Sequence, residues 1–214
     1  MQWKFIYTVI YLAVLFLICP PIQAEEISDK IQTQYKEISS FKTSFVQKRY
    51  RKATDNTNTL KGDIVFQKPT SVRWHTREPE ERLLLVNNSK VWQYIPGEKN
   101  AYKFSLQGKF KSKTMIEFIT GEVNIKKDFE IEKLDKSEEG WRKLKLTPKQ
   151  DDPNMLMAHL WVEPQTGLLR RIKIKDFWQN TNTLTFKDIE LHPDISEDLF
   201  TFDPPKDVKV KDNS

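Results

Sequence analysis

Read for alternation of apolar and polar positions, the chain changes period only a few times. Between Glu25 and Ser39, Ile27, Ile31, Tyr35 and Ile38 recur at spacings of four, four and three, which predicts one amphipathic helix. After Ser39-Ser40, Phe41, Thr43, Phe45 and Gln47 alternate with Lys42, Ser44, Val46 and Lys48, the period of a strand. A polar loop is expected over 53–59, then strands at 60–67, 71–77, 81–86 and 90–95. Asn87-Asn88-Ser89 supplies a turn between the last two, and strands this close in sequence must pair antiparallel. Over Lys113–Thr120 the period returns to helical, with Met115, Ile116, Phe118 and Ile119 on one side and Gly121 placed to end it. Further strands are predicted at 127–134, 140–147, 155–163, 168–178, 182–191 and 199–203, with turns at Gln165-Thr166-Gly167 and Asn180-Thr181-Asn182. The tail Lys206–Ser214 is charged and is expected to be loose. No repeat or linker divides residues 25–214, so the pattern describes one mainly β domain with a few helices.

A strand with one buried face alternates apolar and polar residues. Val72 and Trp74 alternate with Arg73 and His75, Trp92 and Tyr94 with Val91 and Gln93, and Leu160 and Val162 with His159 and Trp161. Leu83-Leu84-Leu85-Val86 is apolar on both faces, and Leu83 and Leu85 join the candidate lining. Two short helices cannot cover a sheet of some ten strands. The sheet must close into a barrel or bend strongly around the helices, and either arrangement is expected to leave a lined cavity. Any one of these aromatics is better explained as core packing; the case for a ligand surface is collective.

The first 24 residues have the form of an export signal: Lys4, an apolar stretch from Phe5 to Ile18, and Ala24 at the cleavage edge. An uncut membrane anchor and lipid attachment at Cys19 are the rival readings. Cleavage after Ala24 leaves 190 residues without cysteine, so stability must come from burial rather than disulfides. It also removes Lys4, leaving 34 basic against 30 acidic residues and a net charge of +4. Such mild basicity could favour an acidic membrane surface or an acidic partner, but with charges so evenly mixed a solvated mixed-charge surface is the better reading, and nucleic-acid binding is not the lead.

Catalytic and metal signatures are not found in the sequence. His75, His159 and His192 are far apart and none has metal-ligand spacing, and there is no G-x-S-x-G elbow or phosphate-cradling glycine loop. The Glu78-Glu80-Glu81 and Glu138-Glu139 clusters read as solvated turns. No cofactor, metal ion or catalytic residue is expected.

Several segments, in order, resemble the periplasmic outer-membrane lipoprotein carrier family (LolA-type). They are the opening helix, Phe41–Lys48 with its S-F-x-x-x-F-x-Q look, Gly62–Pro69, Val72-Arg73-Trp74 with Pro79, Val91–Pro96, and the ending Phe200-Thr201-Phe202-Asp203-Pro204-Pro205. The resemblance implies an unclosed antiparallel β-barrel with a helical lid, 113–120 forming part of the lid, over a hydrophobic cavity for acyl chains. It implies acylated lipoproteins as cargo, an inner-membrane ABC lipoprotein-releasing complex as donor, an outer-membrane lipoprotein acceptor, and a monomer. The family's basic residue before the proline of the second strand region, which reaches the lid backbone, corresponds to Lys68, with Arg73 as a second candidate latch. A tethered acceptor or lipid-sensing regulator of the same fold, and an envelope lipid hydrolase, are the alternatives.

Overall fold

The computed structural model describes residues 26–87, 90–106, 113–152 and 154–213; the export segment 1–24, the turn residues Asn88 and Ser89, and Ser214 lie outside the described residues. Helix α1 (Ile27–Glu37) leads into β1 (Ser40–Arg51), β2 (Asn56–Gln67), β3 (Ser71–Glu78), β4 (Arg82–Asn87), β5 (Lys90–Ile95) and β6 (Asn100–Ser105). Helices α2 (Lys113–Thr120) and α3 (Ile125–Asp128) follow, then β7 (Phe129–Leu134), β8 (Arg142–Pro148), β9 (Met157–Val162), β10 (Leu169–Lys175) and β11 (Thr181–Leu191). A 3-10 turn at Glu197–Phe200 precedes a last strand, β12 (Lys209–Asp212).

All twelve strands form one sheet in the order β12-β6-β5-β4-β3-β2-β1-β11-β10-β9-β8-β7. Most neighbours are sequential hairpins; the pairing of β1 with β11 joins the two halves of the chain. Its outermost strands are β12 and β7, so the barrel is unclosed.

Helices α1 and α2 begin and end within a residue or two of the expected positions, because their apolar stripes are strong; α3 was not expected, and its last two residues fall where a strand was expected from 127. Four strand expectations are corrected. The loop at 53–59 shrinks to a tight turn, since Asp55 takes a left-handed conformation (φ 47°) and β2 begins at Asn56. Residues 100–105 form a strand that the sequence reading passed over. The expected strand at 199–203 is a 3-10 turn running into extended chain. The tail is ordered as β12, whose four residues are all exposed. Backbone bonds, two ion pairs and a cation–π contact hold it: Lys209 N donates to Lys99 O (2.9 Å), Asn213 N to Lys103 O (2.8 Å), Lys99 and Lys103 pair with Asp207 and Asp212, and Lys211 Nζ lies 5.1 Å from the Tyr102 ring centre.

Register decides which side chains meet. Phe41, Phe45, Ile64, Phe66, Val72, Trp74, Val86, Val91, Leu144, Leu146, Leu160, Val162, Ile172, Leu184 and Phe186 fall on the concave face and are buried in one cluster. Ile31, Tyr35 and Ile38 of the α1 region, and Met115, Ile116, Phe118 and Ile119 of α2, complete that cluster. Phe45 meets Trp74 edge-on (ring centroids 5.4 Å), and Phe118 meets Phe129 (5.8 Å). Hydrophobic burial of this face, at about 25 cal/mol per Å², drives the sheet to curl around the helices.

Gly121 joins α2 to α1. Its φ is +76°, and a Cβ there would sit 2.6 Å from Tyr35 Cβ. Two separate requirements, a left-handed C-terminal cap and close helix contact, therefore fall on one residue. Gly121→Ala is expected to cost at least about 1–2 kcal/mol, read as a lower midpoint in thermal or urea unfolding. An unchanged midpoint would contradict the close packing of α2 on α1.

Candidate functional site

The concave face and its cover form the candidate site. Val72, Trp74, Leu160 and Val162 line the wall, each no more than 5% exposed. Against this wall lie Met115, Ile116, Phe118 and Ile119 of α2, each no more than 4% exposed. Among the described residues, the side chains of α2 pack into one buried cluster with this wall, so the expected lined cavity is filled there by the helix. A gap beneath α1, bordered by Tyr35, Ile38, Phe41 and Leu169, holds about 10 Å³, room for one water. A ligand pocket needs several hundred Å³.

Four of the candidate lining residues belong elsewhere. Leu83 pairs with His75 and Tyr94, and Leu85 with Arg73 and Trp92, which places all of them on the convex face. The inward members of these strands are Leu84, Val86 and Val91. Leu83, Leu85, Trp92 and Tyr94 are apolar because a second layer covers them. The C-terminal segment crosses here, with the Phe202 ring tilted against Trp92 at 5.5 Å and Tyr94 at 5.2 Å between centroids, and Phe200 almost fully buried. Asn87 Nδ2 donates to Phe200 O at 3.0 Å. The sequence carried one signal for this layer, the Phe200 and Phe202 pair, but nothing in it said which face they would meet.

The two latch candidates also separate. Lys68 Nζ donates to the carbonyl of Lys36, in the last turn of α1, where a cation is favoured by the free carbonyls of a helix end. It thus reaches helical backbone, but in α1 rather than in α2. Arg73 points outward and donates to Leu199 O at 3.2 Å, fastening the C-terminal segment. It has no part in holding the helices.

Helix α1 is tied to its surroundings by further polar bonds. Lys30 Nζ donates to Pro164 O (3.2 Å), and Gln32 both donates to Val123 O (3.1 Å) and accepts from Ile125 N (3.3 Å). Within α2, burial raises the Glu117 pKa above its ordinary 4.5; Lys113 opposes this, while Glu122 and Asp152 add to it. Deeper along β1, Gln47 is 1% exposed; its amide donates to Asn182 Oδ1 at 2.8 Å.

Comparison with known proteins agrees with this geometry. The family model described as "Outer membrane lipoprotein carrier protein LolA" matches residues 36–203. A protein from Nitrosomonas europaea, named outer-membrane lipoprotein carrier protein, is 26% identical over 191 residues, covering 89% of this chain and 90% of the relative. Among solved structures, an uncharacterized conserved protein from Thermus thermophilus is similar in fold, with a TM-score of 0.57 at 14% identity, covering 89% of this chain and 99% of that one. The Mycobacterium tuberculosis lipoprotein LppX gives 0.51 at 11% identity, over 79% of this chain and 97% of that one.

The two faces and the half-buried carboxyl of α2 can each be tested. Trp74→Ala is expected to weaken binding of a fluorescent fatty acid by about tenfold, roughly 1.4 kcal/mol. Trp92→Ala is expected to leave that binding unchanged and instead to speed proteolysis of the C-terminal segment. The reverse outcome would reassign the faces. For Glu117, the neutral form suits the packed helix, so its contribution to folding is complete below pH 4.5 and is lost as pH rises through the raised value. Glu117→Gln should therefore unfold at a higher temperature than wild type at pH 7, with the gap closing below pH 4.5.

Proposed function

The chain belongs to the family of the outer membrane lipoprotein carrier protein LolA, and from that premise we propose that it is a periplasmic chaperone that shields the acyl chains of lipoproteins. In this reading, the 24-residue leader is cleaved after Ala24, and residues 25–214 act as a monomeric carrier. It receives cargo from an inner-membrane ABC lipoprotein-releasing complex and delivers it to an outer-membrane acceptor. It is a carrier and not an enzyme.

The observation that carries the proposal is the occupied concavity. Four apolar side chains of a two-turn helix fill the space an acyl chain would take. Burying each is worth about 1.5–3 kcal/mol, so expelling α2 forfeits roughly 6–12 kcal/mol. Transferring one long acyl chain from water into the same wall returns on the order of 10 kcal/mol at about 0.8 kcal/mol per methylene. The two quantities nearly cancel. Such an exchange gives moderate affinity, which a carrier without an energy source needs if an acceptor is to take the cargo from it. It also keeps an empty carrier from exposing an aggregation-prone apolar surface. Lys68 holds α1 in place while α2 yields.

Acylated lipoproteins are expected to copurify with the protein from its native envelope, detected by mass spectrometry. Phe118→Ala should raise the amount recovered, because it weakens the competitor for the wall. A loss of about 1.4 kcal/mol in α2 packing corresponds to tenfold tighter binding. Unacylated partners alone, or weaker binding by Phe118→Ala, would overturn the plug-exchange reading.

A further inference from the structure

At one end of the barrel two hairpin tips stand side by side, and their chemistry plays no part in the site above. The β10–β11 turn carries Phe177 and Trp178, which are 50% and 71% exposed. They are held outward by a built turn. Asn180 N and Nδ2 both donate to the Asp176 carboxylate (2.9 and 2.8 Å), and Gln179, with φ +65°, donates its N–H to Asp176 O. The neighbouring β1–β2 tip is bonded to the same turn, Lys52 N donating to Asn180 Oδ1 at 3.0 Å, and Tyr50 pairs with Thr181.

That neighbouring tip brings exposed Lys48, Arg49, Arg51 and Lys52, and β10 ends in Lys175. Among the described residues none of these five makes an ion pair. The nearby carboxylates are already engaged, Asp55 by the Tyr50 hydroxyl and Asp176 by Asn180. A surface pocket of about 300 Å³ runs from Trp178 and Arg49 to Thr114 and Met115 at the start of α2.

We propose that these paired tips dock on an anionic lipid bilayer, with Trp178 and Phe177 entering the interface and Lys48, Arg49, Arg51, Lys52 and Lys175 facing the headgroups. Tryptophan flanked by cations is the composition of a membrane-interface anchor, since the indole suits the boundary layer and the cations suit anionic lipid. Cations set around an exposed indole and phenyl ring complement an anionic surface with an apolar layer beneath it, which a bilayer offers. Docked in this way, the barrel turns the start of α2 toward the bilayer. This consequence rests on the proposed function, whereas docking itself requires no cargo.

The test uses the protein as recovered from cells and vesicles with brominated acyl chains, free of lipoprotein. With vesicles containing anionic phosphatidylglycerol, tryptophan emission is expected to be quenched. The quenched component should disappear in Trp178→Phe, which keeps the docking surface but lacks the reporting indole. The lipid concentration for half-saturation of cosedimentation should rise by at least about tenfold in the Phe177→Ala/Trp178→Ala double variant and in high salt. Quenching that persists in Trp178→Phe, equal binding to purely zwitterionic vesicles, or unchanged cosedimentation of the double variant would each overturn the proposal. So would docking that appears only when an envelope protein is supplied. Cargo copurification is independent of this readout, so either reading can fail alone.

Discussion

The structure depends on one constraint: a curled sheet has a single apolar concavity that water must not enter. The strands of the sheet supply the wall, and its sequential hairpins do not themselves fill it. Helices α1 and α2 do, and they are attached differently. Polar bonds from Lys68, Lys30 and Gln32 secure α1 to the barrel and to the α2–α3 region. The hold on α2 comes chiefly from Met115, Ile116, Phe118 and Ile119 buried in the core cluster. Van der Waals and hydrophobic contact is non-directional, so the interior can be refilled without breaking the frame.

The convex side of β3–β6 solves a second problem. Leu83, Leu85, Trp92 and Tyr94 would form an exposed apolar patch if the chain ended at β11. Phe200 and Phe202 cover it, Arg73 and Asn87 fix the covering backbone, and β12 then occupies the free edge of β6. An all-exposed, charged strand of four residues at a sheet edge is a poor template for addition of another chain. The sheet therefore has apolar layers on both of its sides in this half.

Much of the fold was legible in the sequence because period is a strong local signal. The helix stripe Ile27, Ile31, Tyr35 and Ile38 and the two-turn helix at 113–120 sit as their spacing requires, and most strands lie close to their expected bounds. Facing was legible only where one parity was polar: Val72 and Trp74 turn inward because Arg73 and His75 cannot. In β4 and β5 both parities are apolar, and the decision came from a segment more than a hundred residues away. The C-terminal strand was illegible for a different reason. Its four side chains are all exposed and show no buried face, so backbone pairing to β6 and contacts to Lys103 and Tyr102 define it. Lys68 was found from the motif, yet its partner, the end of α1, is a matter of tertiary geometry.

The cover on the inner wall is made of methionine, isoleucine and phenylalanine, with no hydrogen-bonding group among the four side chains. Such a surface responds to the amount of hydrocarbon presented to it and hardly at all to its pattern. Differences in tail length or branching are absorbed by soft repacking, the thioether of Met115 most readily. In the proposed carrier role, discrimination among clients would be exercised where polar atoms are exposed, at the rim, by whatever hands the client over.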